Sequence, residues 1–274
     1  GELGFGSDID VMFVFEPRSG VDETTATRAA TSIAEELRRL LMAPSGDPPL
    51  DVDADLRPEG KQGPLVRSLG SYAAYYERWS STWEAQALLR AAFVAGDQVL
   101  GDRFLGLVDP LRWSGTLSAD ELTEVRRLKA RMENERLPRG ADPSLHTKLG
   151  RGGLSDVEWV VQMLQMQHAG DCADLRTPRT LEALEAARAA GLIADRDADE
   201  LAASWRMATA IRNAVMLVRG RPSDMVPTDA RELRAVSYVL GYPLGDSGRM
   251  IDDYKRTTRR ARQVFERLFY GEDD

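Results

Sequence analysis

Residues 4–15 read Gly4-Phe5-Gly6-Ser7-Asp8-Ile9-Asp10-Val11-Met12-Phe13-Val14-Phe15, and this stretch decides how the first part of the chain folds. From Val11 to Phe15 both alternating faces are apolar, the pattern of a strand buried on both sides. Asp8 and Asp10 stand two apart at the entry to that strand, so their carboxylates leave the same face. Two carboxylates side by side raise each other's pKa and are costly without a cation between them. Hard divalent cations such as Mg²⁺ favour carboxylate oxygens and usually keep water and substrate phosphates as remaining ligands. Gly6 and Ser7 put small residues and a backbone amide where a phosphate can approach.

Outward from this stretch, Asp22 to Leu41 is rich in alanine and leucine and reads as a helix, closed by a loop over Pro44–Pro49. Leu50 to Leu56 then alternates strictly, with Leu50, Val52, Ala54 and Leu56 on one face and Asp51, Asp53 and Asp55 on the other. A third carboxylate from that acidic face would complete a site able to hold two metals about 3.5–4 Å apart. Spacing alone does not choose among Asp51, Asp53 and Asp55.

After Pro58 the character changes. A loop over Glu59–Pro64 leads to a helix expected from Ser71 to about Val94. From Ser118 onward nearly everything reads as helix. Leu122, Val125, Leu128 and Met132 recur at helical spacing up to Pro138–Gly140. Ser155 with Glu158 three residues on forms a capping-box pattern. Thr177-Pro178 opens a further helix that Gly191 closes. Asp197–Arg219, Asp229–Leu240 and Ser247–Phe269 complete the set, with Val264, Phe265 and Leu268 as core. The expected architecture is α+β: a mixed sheet with helices over residues 1–115, then an all-α bundle over 116–274.

Composition narrows the function classes. The net charge of −8 argues against a general nucleic-acid binder. No apolar run approaches the ~20 residues of a membrane helix, and the N-terminus lacks a signal-peptide pattern. A single cysteine, Cys172, excludes an internal disulfide and fits a reducing cytoplasm. The many arginines beside only four lysines carry little functional weight.

The Gly-Ser-Asp-x-Asp run before apolar strand residues resembles the signature of the DNA polymerase β nucleotidyltransferase superfamily. Three later segments resemble, more narrowly, the glutamine synthetase adenylyltransferases: Asp53-Ala54-Asp55-Leu56-Arg57-Pro58 with Gly60 and Gly63-Pro64-Leu65; Thr82-Trp83-Glu84-Ala85-Gln86-Ala87-Leu88-Leu89-Arg90-Ala91; and Lys148-Leu149-Gly150-Arg151-Gly152-Gly153-Leu154-Ser155-Asp156-Val157-Glu158-Trp159. The resemblance implies that Asp53 is the third carboxylate, so that Asp8, Asp10 and Asp53 are both catalytic and metal-binding. It implies two Mg²⁺ ions, ATP as substrate, and glutamine synthetase as partner, with a P-II signal protein as a partner of the whole enzyme. Gly6 and Ser7 would contact the phosphates. Members of this family resemble a duplicated pair of nucleotidyltransferase domains, one removing AMP by phosphorolysis and one attaching it. The Trp83-to-Arg90 segment and the acidic tail Tyr270–Asp274 resemble the adenylylating, C-terminal copy. The superfamily's glycine turn upstream of the acidic pair is not seen before Gly1, so the chain resembles a piece of a longer protein.

Other residues carry two readings. Arg57 could reach a triphosphate or be a surface arginine before a turn. Lys148 could bind nucleotide beside Gly150–Gly153, whose glycines a helix-capping turn explains nearly as well. Lys61 reads as a solvated charge, Glu158 as a cap, and Asp156 is open. Trp83 and Glu84 could line the site, although a tryptophan on an amphipathic helix is usually core. His146 and His168 lack ligand spacing. Rival functions are the adenylyl-removing phosphorylase of the same family, a P-II uridylyltransferase, and a silent docking domain.

Overall fold

The computed structural model of the protein describes residues 2–44 and 50–271. The chain divides into two compact units, Gly6–Ser114 and Gly115–Asp274, the second also taking in Gly1–Phe5.

In the Gly6–Ser114 unit, β1 (Ile9–Asp10) and β2 (Phe13–Phe15) precede helix α1 (Glu23–Leu41), followed by β3 (Val52–Asp53) and β4 (Val66–Ser68). Helices α2 (Leu69–Trp79), α3 (Thr82–Leu88) and α4 (Gln98–Arg112) complete it. β1 pairs in parallel with β3, and β2 in parallel with β4. A parallel pair needs a crossover connection, and α1 supplies it. Asp22 caps that helix by accepting from the Thr25 amide at 2.9 Å. Arg38, in its last turn, donates to the Val52 carbonyl at 3.2 and 3.3 Å and so fixes β3. At the other end, the Ser68 hydroxyl of β4 donates to Glu23 at 2.8 Å.

The strands are shorter than the alternation suggests. The run Val11–Phe15 is not one strand buried on both sides; its neighbours change partner part-way, and Phe13–Phe15 is only half-buried. The run Leu50–Leu56 contracts to Val52–Asp53. Val52 and Ala54 are buried, but a turn follows in which the Arg57 amide donates to the Ala54 carbonyl at 3.3 Å, and Leu56 swings outward. Among the described residues both strand pairs are parallel, where a mixed sheet was expected. Most of the expected Pro44–Pro49 loop lies outside the described residues.

Against β2 and β4 sits a core of Leu69, Tyr72, Tyr76, Leu88, Phe104 and Val108, with Met12 and Val14 packed on it. Tyr72 and Phe104 meet edge to face at 5.0 Å between ring centroids. The single helix expected over Ser71–Val94 is two. The Ser81 amide and hydroxyl both donate to the Glu84 carboxylate, at 3.1 and 2.8 Å, and this capping box starts α3 afresh. Helix α4 escapes sequence reading because Gly101, Gly106 and Pro110 dilute its helical signal, although it buries Phe104 and Val108.

The second unit contains α5 (Ala119–Glu135), α6 (Leu154–His168), α7 (Thr180–Ala189), α8 (Asp195–Arg219), α9 (Ala230–Val239) and α10 (Ser247–Phe265). Helix α6 buries Val157, Val160, Val161, Met163 and Leu164, an apolar spread that suits a central helix. Ser118 and Glu121 form the capping box of α5, and Asp229 caps α9. The capping box expected at Ser155 and Glu158 does not form. Gly153 occupies the cap position, and Ser155 is buried inside the first turn, 3.3 Å from the Lys129 ammonium. Val264 and Phe265 are core, whereas Leu268 is half-buried. Among the described residues no helix is long and apolar enough to cross a membrane.

Candidate active site

In the β1–β3 ladder, Ile9 pairs with Val52 and Asp10 with Asp53. Register partners in a parallel pair point to the same face, so the Asp10 and Asp53 carboxylates rise together. The ladder is closed by the Ile9 amide on the Asp51 carbonyl at 2.9 Å and the Val11 amide on the Asp53 carbonyl at 2.7 Å. Asp8 lies two residues before Asp10, directly ahead of β1, and follows Gly6, whose φ of 70° turns the chain into the strand. Asp8 and Asp10 are exposed, and Asp53 is half-buried. An Asp53 carboxylate oxygen accepts from the Asp55 amide at 2.7 Å, which pins the turn after β3.

Three aspartates in this arrangement offer only carboxylate oxygens, the donor set that suits a hard divalent cation. Among the described residues no three acidic, histidine or cysteine side chains are drawn into a closed cluster. The backbone register, and not side-chain convergence, is what brings Asp10 and Asp53 together.

The loop after β3 is built around two arginines. Arg57 is buried, donating from Nη1 to the Ala54 carbonyl at 2.7 Å and from Nε to the Gly63 carbonyl at 3.2 Å, with Asp55 at 3.4 Å. Its guanidinium therefore braces the loop instead of lying on the surface. Lys61 is largely exposed and pairs with Asp55 at 3.2 Å. Arg67, which the sequence reading passed over, is the second brace. It donates to Glu59 at 2.5 Å and to the Ser71 hydroxyl at 3.2 Å, and lies over the Tyr75 ring. Glu59 needs such support because its φ of 64° is left-handed, a conformation uncommon for a residue other than glycine. The Tyr75 hydroxyl in turn donates to buried Glu84 at 2.8 Å. Burial, helped by that carboxylate, pushes Tyr75 up to about 12. Glu84 thus ties the α3 cap to the loop brace, while Trp83 is exposed instead of core.

The glycine-rich segment Lys148–Trp159 lies in the other unit, and its glycines are closely packed. A Cβ on Gly152 would stand 1.8 Å from the Thr258 carbonyl of α10, and one on Gly150 would stand 2.2 Å from the His146 carbonyl. Asp156, left open by the sequence, is the buried centre of an ion cluster. It takes Lys129 at 2.6 Å, Arg262 at 3.1 Å and the Gly152 amide at 2.7 Å. Lys129 and Arg262 also share Glu133, at 3.2 and 2.9 Å. Lys148 is half-buried, and its carbonyl accepts from the Ser155 amide at 2.9 Å. His146 is buried, accepts from the Leu149 amide at Nδ1, and is held below the ordinary histidine range by burial.

Residues 1–107 match the family described as glutamate-ammonia ligase adenylyltransferase, and residues 123–269 match the family described as GlnD PII-uridylyltransferase. The bifunctional glutamine synthetase adenylyltransferase/adenylyl-removing enzyme of Streptomyces avermitilis is 64% identical over 271 residues, which is 98% of this chain and 27% of that protein. Its Streptomyces coelicolor counterpart is 62% identical with the same coverage of both chains. This chain belongs to the glutamine synthetase adenylyltransferase family. The Nocardia farcinica member is 57% identical over 270 residues, again 98% of this chain and 27% of its own length. The chain therefore spans about a quarter of the length of these relatives. Asp8, Asp10, Asp53 and the Trp83–Arg90 segment all fall within the stretch matched by the adenylyltransferase family, and the Asp156 ion cluster within the second match.

Proposed function

We propose that the chain carries a polymerase β-like nucleotidyltransferase domain over residues 1–115, followed by a helical domain over 116–274, and that it transfers AMP from ATP to a tyrosine hydroxyl of glutamine synthetase. The observation that carries this reading is the register of Asp10 opposite Asp53, with Asp8 two residues behind, inside the stretch that matches the adenylyltransferase family. Asp8, Asp10 and Asp53 would hold two Mg²⁺ ions. Bound there, the ions supply charge neutralisation of the triphosphate and a lowered pKa for the incoming hydroxyl. The Gly6 and Ser7 amides would receive phosphate oxygens, as backbone amides in a tight turn can. Transfer forms a bond from the tyrosine oxygen to the α-phosphorus, breaks the bond from that phosphorus to the bridging oxygen, and releases pyrophosphate. Positioning and electrostatics dominate such transfers. Arg57 acts here by holding the loop that follows the third carboxylate, and contact of Arg57 or Lys148 with nucleotide belongs to the same proposal.

The Trp83-to-Arg90 segment supports the adenylylating copy. The helical domain, which matches the uridylyltransferase family, is the proposed docking site for a P-II signal protein. The relatives' name also includes adenylyl removal, and this favours one second reading: phosphorolysis of adenylylated glutamine synthetase at the same carboxylates.

A single assay separates these. The chain is incubated with unmodified glutamine synthetase and ATP or UTP, and separately with adenylylated glutamine synthetase and phosphate. AMP incorporation with pyrophosphate release, from ATP only, is expected. ADP formed from the adenylylated protein would move the assignment to the removing activity, and incorporation from UTP would overturn the donor.

A further inference from the structure

The loop between β3 and β4 holds a residue in a conformation that its own side chain opposes. Glu59 has a φ of 64°, in the left-handed region where a Cβ crowds the following carbonyl. The backbone closes on itself around this residue. The Arg57 amide donates to the Ala54 carbonyl at 3.3 Å, the Gly60 amide to the Arg57 carbonyl at 2.9 Å, and the Gln62 amide to the Glu59 carbonyl at 3.2 Å. At the start of the loop, the Asp55 amide donates to an Asp53 carboxylate oxygen at 2.7 Å, so the direction of the Asp53 side chain depends on where the loop stands. Glu59 is gripped from outside the loop by Arg67 of β4. That guanidinium donates from Nη2 to the Glu59 carboxylate at 2.5 Å and from Nη1 to the Ser71 hydroxyl of α2 at 3.2 Å. Its Nε is buried with no hydrogen-bond partner among the described residues. The guanidinium is thus aimed along the line from α2 to Glu59 at the expense of Nε.

We propose that Arg67 is a positioning residue for AMP transfer: by holding Glu59 in its left-handed turn, it fixes the loop whose Asp55 amide orients the Asp53 carboxylate. This rests on the reading of Asp53 as the third catalytic carboxylate. All of these groups belong to the Gly6–Ser114 unit. The Glu59 side chain is 58% exposed, so its ion pair with Arg67 adds little to stability, and its use lies in the turn. A turn that relaxes at Glu59 reaches the Asp55 amide with little chain between them. A misplacement near 1 Å at a reacting centre can cost about 100-fold in rate. A brace of this kind acts on kcat and leaves the KM for ATP nearly unchanged, because it serves geometry and not ground-state affinity.

The test compares, in the full chain, Arg67→Met with the double variant Arg67→Met plus Glu59→Gly, glycine adopting a positive φ without a brace. Amide hydrogen exchange is read at Asp55 and Gly60, and AMP transfer is read as kcat and KM. Arg67→Met is expected to lose protection at both amides and about tenfold or more in kcat, with KM for ATP within twofold. The double variant is expected to regain protection at both amides and a kcat within about threefold of wild type. An arginine that served only the stability of β4 and α2 would not be rescued by a glycine that makes no contact with position 67. Glu59→Ala removes the same ion pair from its exposed end and keeps the strained turn, so it is expected to match Arg67→Met, which covers an Arg67→Met protein that folds poorly. Unchanged exchange at Asp55 in both Arg67→Met and Glu59→Ala overturns the brace. Lost protection with wild-type kcat overturns the positioning role, and a loss that the glycine does not recover overturns the route through Glu59. A wild-type protein without AMP transfer would instead sink the functional reading, and the exchange pattern then decides the brace alone.

Discussion

Asp10 and Asp53 are register partners across the parallel β1–β3 ladder, so two carboxylates rise from one face of adjacent strands about 4.8 Å apart. With Asp8 two residues further back, this is the face proposed to meet a cation and a phosphate.

The tyrosines of the Gly6–Ser114 unit give a pH test. Burial pushes Tyr72 up to about 12, against the opposing pull of Arg67 and Arg57, and Tyr75 also reaches about 12. A phenol whose folded pKa exceeds its unfolded value of about 10 contributes stability that is fully present below pH ~10. That stability is lost as pH rises through about 12. Unfolding free energy is therefore expected to fall across this window, with phenolate absorbance rising in a late step. Glu84→Gln removes the carboxylate that the Tyr75 hydroxyl donates to and is expected to bring part of that step earlier. A single step near pH 10 would contradict the burial described.

Glycine at 152 is a packing requirement. Gly152→Ala puts a methyl 1.8 Å from the Thr258 carbonyl at a φ of 72°, whereas Gly191, at 71°, has open space around it. Gly152→Ala is expected to cost about 3 kcal/mol or more, and Gly191→Ala about 1 kcal/mol, measured by urea denaturation. Equal losses at the two positions would mean that backbone conformation alone, and not the approach of α10, requires the glycine.

How much of this was legible in the sequence follows from range. Asp22 capping α1, Ser118 and Glu121 starting α5, and Asp229 starting α9 are local signals, and the chain obeys them. What escaped depends on partners distant in sequence. β4, whose Arg67 interrupts a short apolar stretch, is defined by pairing with β2. Ser155 looked like a cap because its buried partner Lys129, 26 residues away, is invisible to spacing. Arg57 could be read as a triphosphate contact or as a surface arginine because its acceptors are backbone carbonyls, which no sequence pattern marks.

The ion cluster at Asp156 is expected to be strongly coupled. Lys129→Met leaves a buried carboxylate with one fewer cation and is expected to cost about 3 kcal/mol, since breaking one side of a buried pair strands the other charge. Adding Asp156→Asn is expected to cost much less on the Lys129→Met background than alone. A double-mutant cycle in chemical denaturation measures the difference. Additive losses would contradict the coupling.

The central claim is that the β1–β3 face is the catalytic site, and one measurement bears on it most directly: the rate of AMP transfer from ATP to glutamine synthetase by Asp53→Asn beside Asp55→Asn, with folding of each checked by thermal melting. Asp53 faces Asp10 across the ladder, while Asp55 is engaged by Arg57 and Lys61 in the loop beyond it. The expected result is a loss of about 100-fold or more for Asp53→Asn with the fold intact, and a loss within about fivefold for Asp55→Asn. Transfer by Asp53→Asn near the wild-type rate would contradict the account.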